Sequence, residues 1–198
     1  MALIKSISGI RGTIGGKPGE NLTPVDIVKF AAAYGTIMAE GKERTKIVIG
    51  RDGRISGAMV QELVVNTLTG LGIDVVDLGL STTPTVEVAV KMANADGGII
   101  LTASHNPKEW NALKLLNEDG EFISAEDGQE IIDIIKEGSL IFSDVYHLGQ
   151  YSTYEGSMEY HISEILKYRH VNCEAIQKAG LHVVVDCINS TGAISIPP

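Results

Sequence analysis

A β-branched run with no internal alternation, KIVIG at residues 46–50, is followed by a segment of helical period, and the same order recurs further along the chain. A run of that kind suits a strand buried on both faces. Residues 73–78 and 98–102 (GIILT) read as two further strands. Between the first two, Met59, Leu63, Val64, Leu68 and Leu71 fall at helical spacing over residues 58–72, and Thr83-Pro84 opens another helix. An earlier helix starts at Thr23-Pro24, where Thr23 can cap the free amides and Asp26 suits a capping box. Its expected apolar stripe is Val25, Val28, Ala32, Ala33 and Ile37. Strands alternating with helices of this length predict an α/β fold, a mixed and mostly parallel sheet between helices. In such sheets the chemistry gathers at the loops leaving the carboxyl ends of the strands. Here those loops are 51–56, 79–83 and 103–111.

Beyond them, residues 112–117 and 121–123 read as a hairpin around an Asp-Gly turn, and residues 124–136 as a capped amphipathic helix. The stretch 137–153 is weakly periodic and is expected to be a linker. A long helix is expected over 154–172, with Met158, Ile162, Ile165 and Leu166 on one face, then a strand at 181–186 (LHVVVD) and its turn at 187–192. The chain thus divides into a first domain, residues 1–152, and a linker helix with the start of a second, similar α/β domain, residues 153–198. A length of 198 residues against the usual ~150 per domain gives the same division. A lone strand and turn cannot cover themselves, so the sequence reads as the amino-terminal part of a longer polypeptide.

The net charge of −9, with no basic run of five or more, excludes a nucleic-acid binder of the backbone-neutralising kind. No apolar stretch approaches the ~20 residues needed to span a bilayer, and no signal peptide pattern is present at the start, so no membrane partner is expected. Cys173 and Cys187 stand in no metal-binding spacing and read as reduced, buried thiols of a cytoplasmic protein. His147, His161, His170 and His182 lack i, i+4 partners and read as surface or satisfied histidines. Neither a dinucleotide fingerprint nor a Walker loop occurs.

The segment that carries chemistry is Thr102-Ala103-Ser104-His105-Asn106-Pro107, directly after GIILT. Pro107 biases Asn106 away from helix, which leaves an irregular loop able to hold Ser104 exposed. A hydrolase nucleophile elbow is absent, and His105, as the immediate neighbour, is poorly placed to take the hydroxyl proton. A phosphorylated Ser104 fits its surroundings better. It would carry a charge of about −1.5 to −2 and three acceptor oxygens, and Arg51, Arg54, His105, Lys108 and Lys114 supply cationic partners. The plain alternative is that Ser, Asn and Pro merely build a turn, and on this hexapeptide alone that alternative stands ahead.

T-A-S-H-N-P resembles the phosphoserine loop of the α-D-phosphohexomutases, the phosphoglucomutase, phosphomannomutase and phosphoglucosamine mutase family. Three more segments agree in order and spacing. Ser8-Gly9-Ile10-Arg11-Gly12 resembles the family's G-I-R-G, and Gly50-Arg51-Asp52-Gly53-Arg54 with Ser56-Gly57 resembles its G-x-D-x-R-x-S-G turn. Asn111-Ala112-Leu113-Lys114 resembles the N-G-x-K after the serine loop, with Ala112 in place of the glycine. Ile7-Ser8 stands where members often have G-T.

The resemblance implies that Ser104 carries a phosphoryl group between the 1- and 6-positions of a phosphorylated hexose through a bisphosphorylated intermediate, in a ping-pong cycle. It implies Mg²⁺ on the serine phosphate, with the remaining ligands in a third domain of the rest of the polypeptide. Arg11 and Lys114 would be cations near the transferring group, Lys114 a candidate acid or base, and His105 and Asn106 would shape or line the site. Arg51, Asp52 and Arg54 are expected to form a structural knot supporting the serine loop rather than to touch substrate. The chain alone would then hold the carrier but lack turnover, and the sugar could be glucose, mannose or glucosamine. A different class of function, a non-catalytic phosphosugar-binding or assembly module, is the alternative.

Overall fold

The computed structural model describes residues 3–6 and 9–198; Ile7 and Ser8, which belong to the amino-terminal motif, lie outside the described residues. Seven strands form one sheet: β1 (Leu3–Ser6), β2 (Gly9–Thr13), β3 (Lys46–Arg51), β4 (Asp74–Leu80), β5 (Gly97–Leu101), β6 (Trp110–Leu116) and β7 (Tyr151–Thr153). Their spatial order is β1-β2-β6-β5-β3-β4-β7. The parallel ladders, β5 with β3, β3 with β4 and β4 with β7, occupy one half. The other half, β1 with β2, β2 with β6 and β6 with β5, is antiparallel. The sheet is mixed, as the strand and helix order predicts, and its parallel character belongs to the strands reached by helical crossovers.

The helices are α1 (Pro24–Ala39), α2 (Gly57–Gly70), α3 (Thr83–Met92), α4 (Ala125–Glu137), α5 (Ser157–Lys167), α6 (Cys173–Lys178) and the single turn α7 (Gly192–Ser195). Thr23 caps α1 as a reciprocal box with Asp26, and Ser124 caps α4 in the same way with Asp127. Side-chain and backbone donors are satisfied together at both starts, so each helix begins where its local sequence says. One face of the sheet buries Ile10, Ile47, Ile49, Ile99, Leu101 and Leu113 against α1, α2 and α4. The opposite face buries Val48, Ile100 and Leu116 against Val86, Ala89 and Val90 of α3.

Helix α1 is flanked by both α2 and α4, so it buries a wide arc, Ile27 and Phe30 to Gly35, while Val25 of the expected stripe is exposed. Tyr34 reaches across to the sheet, where its hydroxyl donates to the carbonyls of Leu116 (2.7 Å) and Gly98 (3.2 Å). Burial pushes its phenol far above the ordinary tyrosine range, so it stays protonated and keeps donating.

Several expectations need correction. The β1–β2 pair was not expected. The stretch expected to be a linker instead packs on the carboxyl end of α2, with Ser143 and Gly149 amides bonded to Gly70 and Thr69 carbonyls, and finishes as edge strand β7. The helix expected over 154–172 is shorter, since α5 ends at Lys167 and Tyr168 takes an extended conformation. Asn172 then starts the separate α6 by accepting from the Ala175 amide, a role asparagine favours over a helix interior. Cys173, expected to be buried, is exposed there. The hairpin after β6 forms, but its return is a single bridge, Leu116 to Phe122. Residues 181–186 form no strand, and Val183 and Val184 are exposed. An extended run becomes a strand only by joining a ladder, and none of the described strands pairs with it. Among the described residues no helix is long and apolar enough to cross a membrane.

Candidate active site

The antiparallel half of the sheet positions the cations. Register places Arg11 opposite Ala112 and Gly9 opposite Lys114 across β2 and β6, and Lys114 opposite Ile100 across β6 and β5. Side chains alternate along a strand. Ile10, Leu113 and Leu115 enter the main core, so Arg11 and Lys114 fall on the face that α3 covers only in part. A pocket of about 310 Å³ opens there, and Arg11, Ser104, His105, Asn106 and Lys114 all line it. Arg11 is exposed and makes no hydrogen bond or ion pair among the described residues. The Lys114 ammonium lies 5.9 Å from the centre of the Phe122 ring. It also opposes the upward push that burial exerts on the Glu87 carboxyl, as does His161.

Ser104 is exposed on the loop after β5 and has a φ of 54°, a left-handed torsion uncommon outside glycine. Its amide donates to the Thr102 hydroxyl (3.1 Å), which in turn donates to the Asp52 carboxylate (2.6 Å). Arg54 binds the same loop from its backbone side. Its Nε donates to Asp52 (3.1 Å), one terminal nitrogen to the carbonyls of Pro107 (2.7 Å) and Trp110 (2.9 Å), and the other to those of Ser104 (2.7 Å) and Asn106 (2.8 Å). Asn111, buried at the start of β6, ties the loop's exit to Ser56 (2.9 Å).

Not every cation suggested by the sequence joins the site. Arg51 turns to Gln61 (2.5 Å) and the carbonyl of Asp52 (3.2 Å), and Gln61 passes the chain of bonds on to buried Asp77. Lys108 is exposed and does not line the pocket. Asp52 and Arg54 form the knot expected of them. Ala112 is an ordinary strand residue, absent from the positive-φ positions, so the alanine replaces a glycine without altering the ladder. Ser6 and Gly9 also line the pocket; within G-I-R-G-T Ile10 is buried and Arg11 exposed, an alternation too short to mark β2 apart from its ladder with β6. Among the described residues no cluster of His, Cys, Asp or Glu could hold a metal ion, and the Asp52 carboxylate is already engaged by Thr102 and Arg54. The Mg²⁺ expected at Ser104 therefore finds no carboxylate cage here.

Residues 3–141 match the family described as phosphoglucomutase/phosphomannomutase, alpha/beta/alpha domain I. The chain is 38% identical over 194 residues to a phosphoglucomutase/phosphomannomutase of Thermococcus kodakarensis, which covers 94% of this chain and 41% of that protein. It is 33% identical over 202 residues to a phosphoglucosamine/phosphogalactosamine mutase of Sulfurisphaera tokodaii, covering 100% of this chain and 42% of the relative. A crystal structure of a phosphoglucomutase/phosphomannomutase family protein from Burkholderia thailandensis superposes with a TM-score of 0.67 at 25% identity, over 83% of this chain and 36% of that one. The chain thus spans about two fifths of the length of the curated relatives it matches.

Proposed function

The chain belongs to the phosphoglucomutase/phosphomannomutase family, and we propose that it is the phosphoryl-carrying, amino-terminal part of a mutase that interconverts hexose 1- and 6-phosphates. Ser104 is the carrier. In the first half of the cycle the bond between phosphorus and the Ser104 Oγ breaks as a free sugar hydroxyl bonds to phosphorus. The hydroxyl proton leaves to a base, for which Lys114 is the candidate, the departing Ser104 oxygen takes up a proton, and a bisphosphorylated sugar results. In the second half Ser104 takes the phosphoryl group from the other end of that sugar. The observation that carries this reading is the convergence of exposed Ser104 with Arg11, His105 and Lys114 in a single pocket.

Phosphoryl transfer needs positioning and neutralisation of charge more than covalent help. Arg11 and Lys114 offer the cationic groups, and Asn106 lines the same pocket beside the serine. Mg²⁺ would neutralise the phosphoserine oxygens, with Ser104 its point of attachment in this chain and its carboxylate ligands expected elsewhere in the polypeptide. The chain by itself is accordingly expected to show no turnover. The substrate is a phosphorylated glucose, mannose or glucosamine, and the setting is the cytoplasm.

The test follows labelled phosphate. Full-length mutase carrying this sequence, given Mg²⁺ and a hexose 1,6-bisphosphate labelled in its phosphates, is expected to yield label on the peptide containing Ser104. Label on any other residue overturns the reading. Calorimetry on the chain alone addresses the binding-module alternative, which tight sugar-phosphate binding without any transfer to Ser104 in the full-length protein would favour.

A further inference from the structure

We propose that Arg54 is the positioning residue of the carrier serine, fixing the backbone of residues 104–110 so that Ser104 is held in its left-handed torsion at the mouth of the pocket. The proposal rests on the reading of Ser104 as carrier and adds to it what sets that serine's aim.

A guanidinium has five N–H donors in a rigid planar fork. In Arg54 all five are occupied, four by backbone carbonyls of one loop and one by Asp52. No donor remains for a phosphate oxygen, which separates Arg54 from exposed Arg11 and assigns it to the loop. Four carbonyl oxygens converging on one region repel each other unless a cation stands between them. The side chain is only 10% exposed, so water cannot readily replace it. Asp52 anchors both ends of the arrangement: it holds Arg54 through Nε and the Arg54 amide (3.1 Å), and holds Thr102, whose hydroxyl receives the Ser104 amide. The carbonyl and the amide of Ser104 are thus fixed by two branches of one network, and those two bonds bracket the strained φ of 54°. A lysine here would keep the charge but has three donors around a single nitrogen, and cannot reach four carbonyls and a carboxylate in their present places.

Hydrogen exchange on this chain tests the proposal. The Ser104, Asn106 and Trp110 amides are each hydrogen-bonded within the loop network, to Thr102, Ala103 and Pro107. In Arg54→Lys they are expected to exchange about tenfold faster or more, as in Arg54→Ala, while Ile49 of β3 and Ile99 of β5 keep their rates. Full protection in Arg54→Lys overturns the proposal, because charge alone would then suffice. Equal acceleration throughout the sheet also overturns it, because Arg54 would then serve global stability only. Asp52→Asn, which preserves shape, is expected to reproduce the local pattern more weakly and decides the matter if both Arg54 variants fail to fold: unchanged loop exchange in it counts against the proposal. In the full-length mutase, Arg54→Lys is expected to lower kcat about 100-fold with KM little changed; a loss confined to KM would mean substrate contact and overturn it. Should Ser104 never accept label in the unmodified enzyme, the proposed function fails while the exchange measurements still judge Arg54.

Discussion

Arg54 and Arg11 both attend the serine loop, and they differ in what their guanidinium groups still have to offer. Arg54 is nearly buried, with every donor directed at the loop's own carbonyls or at Asp52. Arg11 is exposed on a strand that lines the pocket and carries no hydrogen bond among the described residues. Residue type and proximity to Ser104 are shared, so neither can assign the role. The count of unused donors can: a group with none left builds the loop, and a group with all of them left can meet an incoming anion. Lys114 belongs with Arg11, since its ammonium meets only the Phe122 ring and acts at longer range on Glu87 among the described residues.

The largest effect expected is complete. Ser104→Ala removes the only atom in the contrast that both groups exist to serve, and it should abolish phosphoryl labelling of the full-length enzyme while changing unfolding free energy by less than about 1 kcal/mol. Next come Arg11→Ala and Lys114→Met, each expected to slow transfer by roughly 10²–10³, the range for deleting one preorganised donor to a developing charge. Stability should shift by no more than about 0.5 kcal/mol in either. Unimpaired transfer in both would break the distinction between occupied and available donors. Lys114→Met carries a second readout. Burial raises the Glu87 carboxyl and Lys114 pulls it back down, so without the ammonium that carboxyl should titrate at still higher pH by carbon-detected NMR. Protein stability then falls as pH rises through the new value, because the ionised form is the one burial penalises.

Gly9→Ala probes the strand beneath Arg11. Gly9 has a φ of 131°, and a Cβ there would run into the Leu113 carbonyl oxygen on β6. The strained torsion and the clash together should cost about 2–3 kcal/mol in denaturant unfolding. Transfer should fall as well, since Arg11 follows two residues later on the displaced strand. Gly15→Ala is the matched control: its φ is 91° but nothing lies within 4 Å of the added carbon, so the cost should be that of torsion alone. A drop in Gly9→Ala no larger than the control's would mean that β2 can shift without consequence.

How much of this was legible beforehand follows the range of the forces involved. The starts of α1 and α4 are set by Thr23 with Asp26 and Ser124 with Asp127, partners three residues apart, and both boxes form as the sequence indicates. The runs at β3, β4 and β5 are buried enough to identify themselves. Residues 9–13 are short and glycine-rich, and their strand character comes from the ladder with β6, a hundred residues away; residues 181–186 have strong β composition and no ladder, and so form no strand. The site shows the same division. Ser104, His105, Arg11 and Lys114 could be picked out through their motifs, and the fold brings them to one pocket. That Arg54 and not Arg51 grips the loop could not be read, because its bonds reach carbonyls 50 to 56 positions away and neighbouring arginines in one turn look alike in sequence.

The smallest expected effect concerns Ala112, opposite Arg11 on the same ladder that holds Gly9 opposite Lys114. Gly9 cannot accept a Cβ, whereas Ala112 already carries one in an ordinary strand torsion, 4% exposed. If the site needed a glycine's torsion at position 112, the ladder between β2 and β6 would have to break there, and it runs unbroken from Gly9–Lys114 to Thr13–Trp110. Ala112→Gly should therefore leave phosphoryl transfer unchanged and lower stability by about 0.5–1 kcal/mol, the entropic penalty of glycine in a strand interior. A gain in transfer rate would show instead that the alanine methyl obstructs the pocket floor between Arg11 and Ser104, and that the shelf holding the available cations is less finished than the knot holding the serine.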